Sequence, residues 1–239
     1  MHRFFAERVE GELARLASED ARHASRVLRL TAGDTVVLFS DGGLWQAELV
    51  SVSPEDVVAR LTDQLPDTEP RLRITLYQGI PKSDKMDMIC QKNTEIGVAS
   101  IVPVAMKRCV SAISSKDAPH KIDRWQRICR EAAKQSGRAV VPQVEEPLSF
   151  PAFLSRLSSH QLVLVPWEDA SGCGMTAIRS RYPDVTDIAI VIGPEGGMEA
   201  AEVEAMNAVP ITLGRRILRT ETAGLVCAAG LLTLYGEME

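Results

Sequence analysis

Short apolar or alternating runs, separated by turn residues, occupy the first quarter of the chain. The runs HRFF, TVVLFS, LWQAELVSV and VVARL are separated by AGD, SDGG and SPED, whose Gly, Asp and Pro favour turns. This pattern predicts a small β-barrel or a curled sheet. Between the first two runs, ASEDARHASRVLRL predicts a helix that begins at Ser18 as its N-cap. Its predicted buried face consists of Ala21, Ala24, Val27 and Leu28.

The pattern changes after residues 62–70, TDQLPDTEP, which carry two prolines and three acids and are typical of a linker. From residue 71 onward, strand-like and helix-like segments alternate and end in an apolar helix through TAGLVCAAGLLTLY. Such alternation predicts βα units and a mainly parallel sheet covered on both faces. The sequence therefore predicts an α/β protein with one domain over residues 1–68 and a second over residues 71–239.

Charge is distributed unevenly along the 239 residues, although the net charge is only -5. Residues 71–140 carry 14 basic and 6 acidic side chains, a balance of +8, between two acidic flanks. A basic stretch inside an acidic protein indicates a phosphate-bearing partner such as a nucleic acid. The alternative is a solvated helix face that keeps the protein soluble.

Several classes of protein are disfavoured by the composition. No apolar run is long enough to cross a bilayer, and the opening MHRFFAERVEGE lacks the plan of a secretory signal, so we expect a cytoplasmic protein without a membrane partner. The five cysteines are scattered without a C-x-x-C pair, which favours buried thiols over disulfides or a zinc site. The four histidines show no metal-ligand spacing, and we predict no metal.

Three predicted strands end in sequences that indicate a ligand site. LVLVP runs into Trp167, DIAIVI runs into the glycine-rich GPEGG of residues 193–197, and ITLG runs into RRILRTETA of residues 215–223. The carboxyl ends of parallel strands meet at one edge of an open α/β sheet, where ligands bind. Glycines there let a ligand lie against the backbone, although a tight turn would use similar residues. No phosphate-binding G-x-x-x-x-G-K-[ST] or dinucleotide-binding G-x-G-x-x-G is present.

The pair IGPEGG and LGRRILRTETA resembles the signature of the SPOUT methyltransferases. HRFF, HASRVLRLTAGD, QGIPKSDKMDMICQKNTEIGV and REAAKQSGR, in this order, extend the resemblance over nearly the whole chain, to the bacterial 16S ribosomal RNA (uridine-1498-N3)-methyltransferase family. The resemblance implies a PUA-like RNA-binding β-barrel, a trefoil-knotted SPOUT methyltransferase domain and S-adenosyl-L-methionine as methyl donor. It also implies a homodimer that acts on 16S ribosomal RNA within the 30S subunit.

Carried over by this resemblance, the cofactor-binding residues come from the three strand ends. They are Val165, Pro166, Ile192, Gly193, Pro194, Gly196, Leu213, Gly214, Ile217, Leu218, Thr222 and Ala223. The chain departs from the family pattern at Arg215, where the pattern has proline, and at Met198-Glu199, where an aromatic and a hydroxyl residue are usual. The second departure is expected to weaken the cap of the following helix.

Methylation of uridine at N3 requires removal of the N3 proton, with a base or a cation to stabilise the resulting anion. Arg219 is the candidate catalytic cation, and Glu195 or Glu221 the candidate base, unless these carboxylates only cap loops. The candidate phosphate-binding residues are Arg3, Arg26, Arg29, Lys82, Lys85 and Lys92. The alternatives are a non-catalytic RNA-binding ribosome-assembly factor and a SPOUT methyltransferase that acts on another RNA.

Overall fold

The computed structural model describes residues 1–40 and 43–238, which divide into two compact units. The first unit comprises Met1–Glu69 together with Ala133–Val140, and the second comprises Pro70–Ala132 and the chain from Val141 onward. The sequence predicted two continuous domains, whereas the first compact unit includes a segment from the middle of the chain.

The first unit contains a closed five-stranded barrel in the order β1-β2-β5-β4-β3. Its strands are β1 (Arg3–Glu10), β2 (Leu13–Leu16), β3 (Thr35–Ser40), β4 (Gly43–Val52) and β5 (Val57–Gln64). The predicted barrel is therefore present, with one strand, β2, that was not predicted. Strands β1 and β3 close the barrel in parallel, and the other neighbours are antiparallel.

Alternate side chains of these strands fill the barrel interior. Phe4, Leu38 and Leu49 are almost fully buried in one cluster with several alanines and valines. The register of the β4–β5 pair shifts between Trp45 and Ala47, where one extra residue on β5 interrupts the alternation. The interior is filled with side chains, as in other small closed barrels.

The segment between β2 and β3 forms α1 (Ser18–Arg22), followed directly by a π-helical turn, His23–Val27. The predicted capping role of Ser18 is wrong: Ala17 is the N-cap residue, and no side chain caps the helix. Ala21 and Ala24 are buried as predicted, but Val27 is 65% exposed. The wider π turn changes the angular spacing of residues, which explains why a 3.6-residue pattern misplaced Val27.

The second unit is built on a parallel sheet in the order β12-β10-β11-β6-β7-β8, with β9 also paired to β7. The strands are β6 (Arg73–Gly79), β7 (Ser100–Ala105), β8 (Gln143–Val144), β9 (Leu148–Ser149), β10 (Leu162–Pro166), β11 (Asp187–Ile192) and β12 (Val209–Ile211). All their pairings are parallel, which confirms the predicted sheet type.

Helices cover both faces of this sheet. They are α2 (Lys85–Ile96), α3 (Ala118–Ser136), α4 (Phe150–Leu157), α5 (Met175–Arg181), α6 (Ala200–Ala205) and α7 (Thr220–Leu234). One face packs Leu76 and Ile190 against α2 and α7, and the other packs Tyr77 and Val191 against Phe153 of α4. Side chains on both faces are buried, which explains why these strands are continuous apolar runs.

The predicted trefoil knot is not tested by the strand order and stays a prediction.

Within residues 1–40 and 43–238, no helix combines the length and the apolarity needed to cross a membrane.

Candidate active site

A cavity of about 410 Å³ lies at the carboxyl ends of β10, β11 and β12, so the structure brings the three singled-out strand ends together. Its size falls within the range of sites for small molecules and cofactors. The cavity is lined by Lys85, Pro166, Trp167, Glu168, Ile192, Gly193, Pro194, Glu195, Gly197, Met198, Thr212, Leu213, Gly214, Arg215, Arg216, Ile217, Leu218, Arg219, Thr220 and Ala223.

Three of the predicted cofactor-binding residues do not lie on this wall. Val165 is fully buried in the core, and the carbonyl oxygen of Gly196 accepts a hydrogen bond from Arg108 at 3.1 Å. Thr222 lies in the first turn of α7, where its backbone N–H donates to the carbonyl oxygen of Arg219 at 2.8 Å. Each of the three is adjacent in sequence to a residue that does line the cavity. The other predicted cofactor-binding residues and Arg219 are on the wall.

The wall also contains residues that sequence reasoning did not assign to the cofactor. Apart from Lys85 and Arg219, they are Trp167, Glu168, Glu195, Gly197, Met198, Thr212, Arg215, Arg216 and Thr220. Most of them lie within or directly beside the recognised motifs, so treating each motif as a continuous segment would have found them. Lys85, predicted as a phosphate partner, also lies on the wall.

Glycines shape the cavity in two different ways. A Cβ on Gly193 would lie 2.9 Å from Cγ of Met198, and a Cβ on Gly79 would lie 2.7 Å from Cδ of Pro194. These two glycines are therefore required by packing, independently of any ligand. Gly214, at φ +106°, has no atom within 4 Å of an added Cβ, so its glycine leaves open space beside the cavity.

A hydrogen-bond network joins two segments of the wall to the end of β6. The hydroxyl of Thr220 donates to the carbonyl oxygen of Gly193 at 2.6 Å, and Nε2 of Gln78 donates to that hydroxyl at 2.8 Å. The side chain of Gln78 is fully buried. The end of β6, the GPEGG loop and the first turn of α7 are thereby held in one arrangement.

Lys85 lies between two carboxylates. Its Nζ is 3.0 Å from Glu195 Oε1 and 3.3 Å from Glu221 Oε2. Burial favours a higher pKa for Glu195, but hydrogen bonds from backbone N–H groups, including that of Lys82, and from the Lys85 ammonium outweigh it and hold the pKa below its ordinary value. The hydrogen bond to Glu195 in turn raises the pKa of Lys85. Glu195 is therefore ionised and a weak base, whereas Lys85 stays protonated.

Three arginines of the loop before α7 line the cavity and are exposed: Arg215, Arg216 and Arg219. Arg219 is the N-cap residue of α7, and its carbonyl oxygen accepts hydrogen bonds from Thr222 and Ala223 at 2.8 and 2.9 Å. Its guanidinium makes no hydrogen bond or ion pair with any residue that the structure describes. The backbone of this predicted catalytic cation is therefore held in place, whereas its guanidinium has no partner among the described residues.

The expected weakening of the α6 cap is wrong. Glu199 and Glu202 form a capping box, in which the N–H of Glu199 donates to Oε2 of Glu202 at 3.0 Å. Nζ of Lys107 lies 2.7 Å from Glu199, and Met198 is buried in the core. A glutamate therefore replaces the usual hydroxyl residue without loss of the cap.

The predicted phosphate-binding residues are distributed over both units. In the first unit Arg26 and Arg29 are exposed, while the guanidinium of Arg3 donates to the carbonyl oxygen of Gln135 at 3.0 Å. In the second unit Lys82 is exposed, and Nζ of Lys92 bonds to Glu95 at 2.9 Å. Among the described residues, no group of three His, Cys, Asp or Glu side chains is arranged to hold a metal ion.

Comparison with known proteins agrees with this architecture. Residues 68–232 match the RNA methyltransferase domain family, and residues 16–62 match the RNA methyltransferase PUA domain family. The chain is 36% identical to ribosomal RNA small subunit methyltransferase E of Bacillus subtilis over 97% of its own length and 96% of that protein.

Solved structures give the same result. The ribosomal RNA small subunit methyltransferase E of Neisseria gonorrhoeae, bound to S-adenosylmethionine, is 32% identical over 98% of each chain, with a TM-score of 0.87. The Legionella pneumophila protein Lpg2936, also solved with S-adenosylmethionine, is 31% identical over 97% of this chain and 96% of that one, with a TM-score of 0.84.

The parallel sheet, its edge cavity and the preceding barrel, together with these matches, define an RNA methyltransferase that carries a PUA domain. Within that class, the chain belongs to the ribosomal RNA small subunit methyltransferase E family. The predicted family, enzyme class and two-part α/β fold are confirmed, apart from the knot.

Proposed function

We propose that this protein transfers the methyl group of S-adenosylmethionine to N3 of uridine 1498 in 16S ribosomal RNA. The observation that carries the proposal is the position of Arg219, an exposed cation without a partner among the described residues, on the wall of a cavity with a glycine-rich loop. Family membership and the cofactor bound in two similar proteins support it.

The residues of the cavity fit S-adenosylmethionine. Gly193 and Gly214 have no side chain that would separate a ligand from the backbone, and Ile192, Leu213 and Leu218 offer apolar surface to an adenine ring. When bound, the cofactor supplies a methyl group on a sulfonium, whose sulfur leaves as a neutral thioether. The protein then has mainly to align donor and acceptor.

The uridine side of the reaction explains the exposed cation. N3 loses its proton as the N3–methyl bond forms, and negative charge is shared with O2 and O4. We assign Arg219 to stabilise that charge. Glu195 is poorly suited as the base because its pKa is lowered, which leaves Glu221 or solvent to accept the N3 proton.

The remaining assignments concern partners and location. The barrel of residues 1–68 is assigned to RNA binding, with Arg3, Arg26 and Arg29, and Lys82 and Lys92 of the second unit are assigned to RNA phosphates. The substrate is the 30S subunit in the cytoplasm.

Helix α7 supports a homodimer. Its residues 223–232 are all apolar or glycine, and Val226 remains 38% exposed to solvent. Such a helix is normally covered on every face, so we assign its outer face to a second copy of the chain. The trefoil knot is part of the same proposal.

The test is methyl transfer to 30S subunits from a strain without this modification, with the product nucleoside identified by mass spectrometry. The proposal expects 3-methyluridine and binding of S-adenosylmethionine by calorimetry. Cofactor binding with transfer only to another RNA would refute the assigned substrate. Failure to bind the cofactor would instead favour a non-catalytic RNA-binding factor.

A further inference from the structure

Ile217 is more exposed to solvent than expected for a residue that contacts an adenine ring. It borders the cavity, yet its side chain is 82% exposed, more than any other large apolar side chain in the described part of the chain. The neighbouring Leu218 is only partly exposed. Ile217 therefore lies at the rim of the cavity and is largely exposed to solvent.

The surroundings of Ile217 indicate what covers it. Arg215, Arg216 and Arg219 lie within two residues of it and are all exposed on the same rim. A cluster of cations attracts a polyanion, and base stacks are the apolar part of a nucleic acid. An apolar side chain between arginines therefore fits RNA better than it fits an apolar protein surface.

The chemistry adds a requirement for such a contact, and here the inference rests on the proposed function. N3 of uridine lies on the pairing edge of the base, so it is inaccessible while the base is paired and stacked. Enzymes that modify a base take it out of the stack, and proteins that distort nucleic acids insert apolar side chains between bases. An apolar side chain with this role would have to lie beside the cavity that holds the methyl donor.

We infer that Ile217 is the side chain that packs into the RNA base stack beside the target uridine and keeps that base turned toward the cavity. Arg215 and Arg216 hold the flanking phosphates. Arg215 replaces the proline of the family pattern, so this rim carries one additional cation in this chain.

The experiment compares wild type with Ile217→Ala, Ile217→Leu and the control Val110→Ala, which shortens a 67% exposed residue between β7 and α3 of the second unit. The RNA probe is a ribosomal RNA fragment that carries 2-aminopurine next to the target uridine, because its fluorescence rises on unstacking. S-Adenosylmethionine affinity, methyl transfer and sedimentation are measured on the same proteins.

Ile217→Ala is expected to lose the fluorescence rise and to lower kcat/KM for RNA about tenfold, the effect of one lost stacking contact. Cofactor affinity should be unchanged, Ile217→Leu should restore both signals, and Val110→Ala should resemble wild type. Weaker cofactor binding in Ile217→Ala would overturn the inference and indicate that Ile217 contacts the adenine. Dissociation of a dimer in this variant would also overturn it and indicate that Ile217 contacts a second copy of the chain. An unchanged fluorescence rise would refute it outright. If wild type unstacks the probe through Ile217 but transfers no methyl group to any RNA, the proposed function is refuted, whereas the inferred role of Ile217 in the base stack is supported.

Discussion

Two ion pairs of the barrel unit and one arginine of the sheet unit use their charges in opposite ways. In the first unit, Lys134 lies 2.6 Å from Asp20 and Arg138 lies 2.6 Å from Glu69, with all four side chains largely buried. In the second unit, Arg219 lies at the cavity rim without a partner among the described residues. Buried, paired charges help to fix the fold. A guanidinium that has no partner, on a residue whose backbone is held in place, can instead stabilise charge on a substrate.

The largest effect is expected in the barrel unit, from Arg138→Ala. This change leaves Glu69 buried without its ion pair, which costs about 3–5 kcal/mol of unfolding free energy. Chemical denaturation measures the loss. The matched control is Arg8→Ala, whose exposed pair with Glu10 contributes less than about 1 kcal/mol. Equal losses in both variants would contradict the distinction between the two kinds of pair.

Arg219→Ala should show the converse behaviour. Loss of a cation that stabilises developing charge lowers the rate about 10²–10³-fold, whereas the unfolding free energy should stay at the wild-type value because the side chain has no partner among the described residues. Single-turnover methyl transfer and denaturation of the same sample measure the two quantities. A variant that loses stability but keeps its rate would show that Arg219 is a structural residue.

Gly193→Ala tests a position that is expected to affect both the packing of the protein and cofactor binding. The added Cβ would meet Met198 at 2.9 Å and the backbone carbon of Gly197 at 3.2 Å. Overpacking of this kind costs about 1–3 kcal/mol, and we expect S-adenosylmethionine to bind more weakly as the loop shifts. Gly174→Ala is the control, because nothing lies within 4 Å of its added Cβ and its φ is negative. Calorimetric titration distinguishes them, and equal affinities would argue against a packed loop.

The smallest effect concerns Glu195 and depends on pH. Its pKa in the folded protein lies below the unfolded value of about 4.3, so its stabilising contribution is complete above that pH and is lost as the pH falls through the folded pKa. Glu195→Gln should therefore be less stable than wild type near neutral pH, with the difference shrinking below about pH 4. A difference that does not depend on pH would exclude an ionic origin.

The sequence predicted most of the site because the cavity is assembled from strand ends. Pro166, Ile192 and Leu213 could be placed at one edge once the sheet was recognised as parallel, since carboxyl ends of parallel strands coincide. Val165 does not line the cavity because side chains alternate along a strand, and a motif does not show which face each residue takes. The Lys85 pairs with Glu195 and Glu221 join three distant segments, which no local pattern contains.

The fold was predicted less evenly. The four-residue strand β2, LARL, carries two apolar positions and too little pattern to detect, although it completes the barrel. Periodicity identified α3 as one helix, but it could not show that the last residues of the helix belong to the first compact unit. Such assignments depend on contacts far apart in sequence, here between Asp20 and Lys134 and between Glu69 and Arg138.

The inclusion of Ala133–Val140 in the barrel unit has a consequence for the order in which the chain acquires its structure. A ribosome releases residues 1–69 well before Lys134 and Arg138, so the nascent barrel first exists with Asp20 and Glu69 lacking these partners. It matures only when the chain has already passed through the first half of the sheet unit. A fragment cut at the sequence boundary would remain in that early state, and a fusion of residues 1–69 with 133–140 is the smallest piece that contains the finished barrel unit.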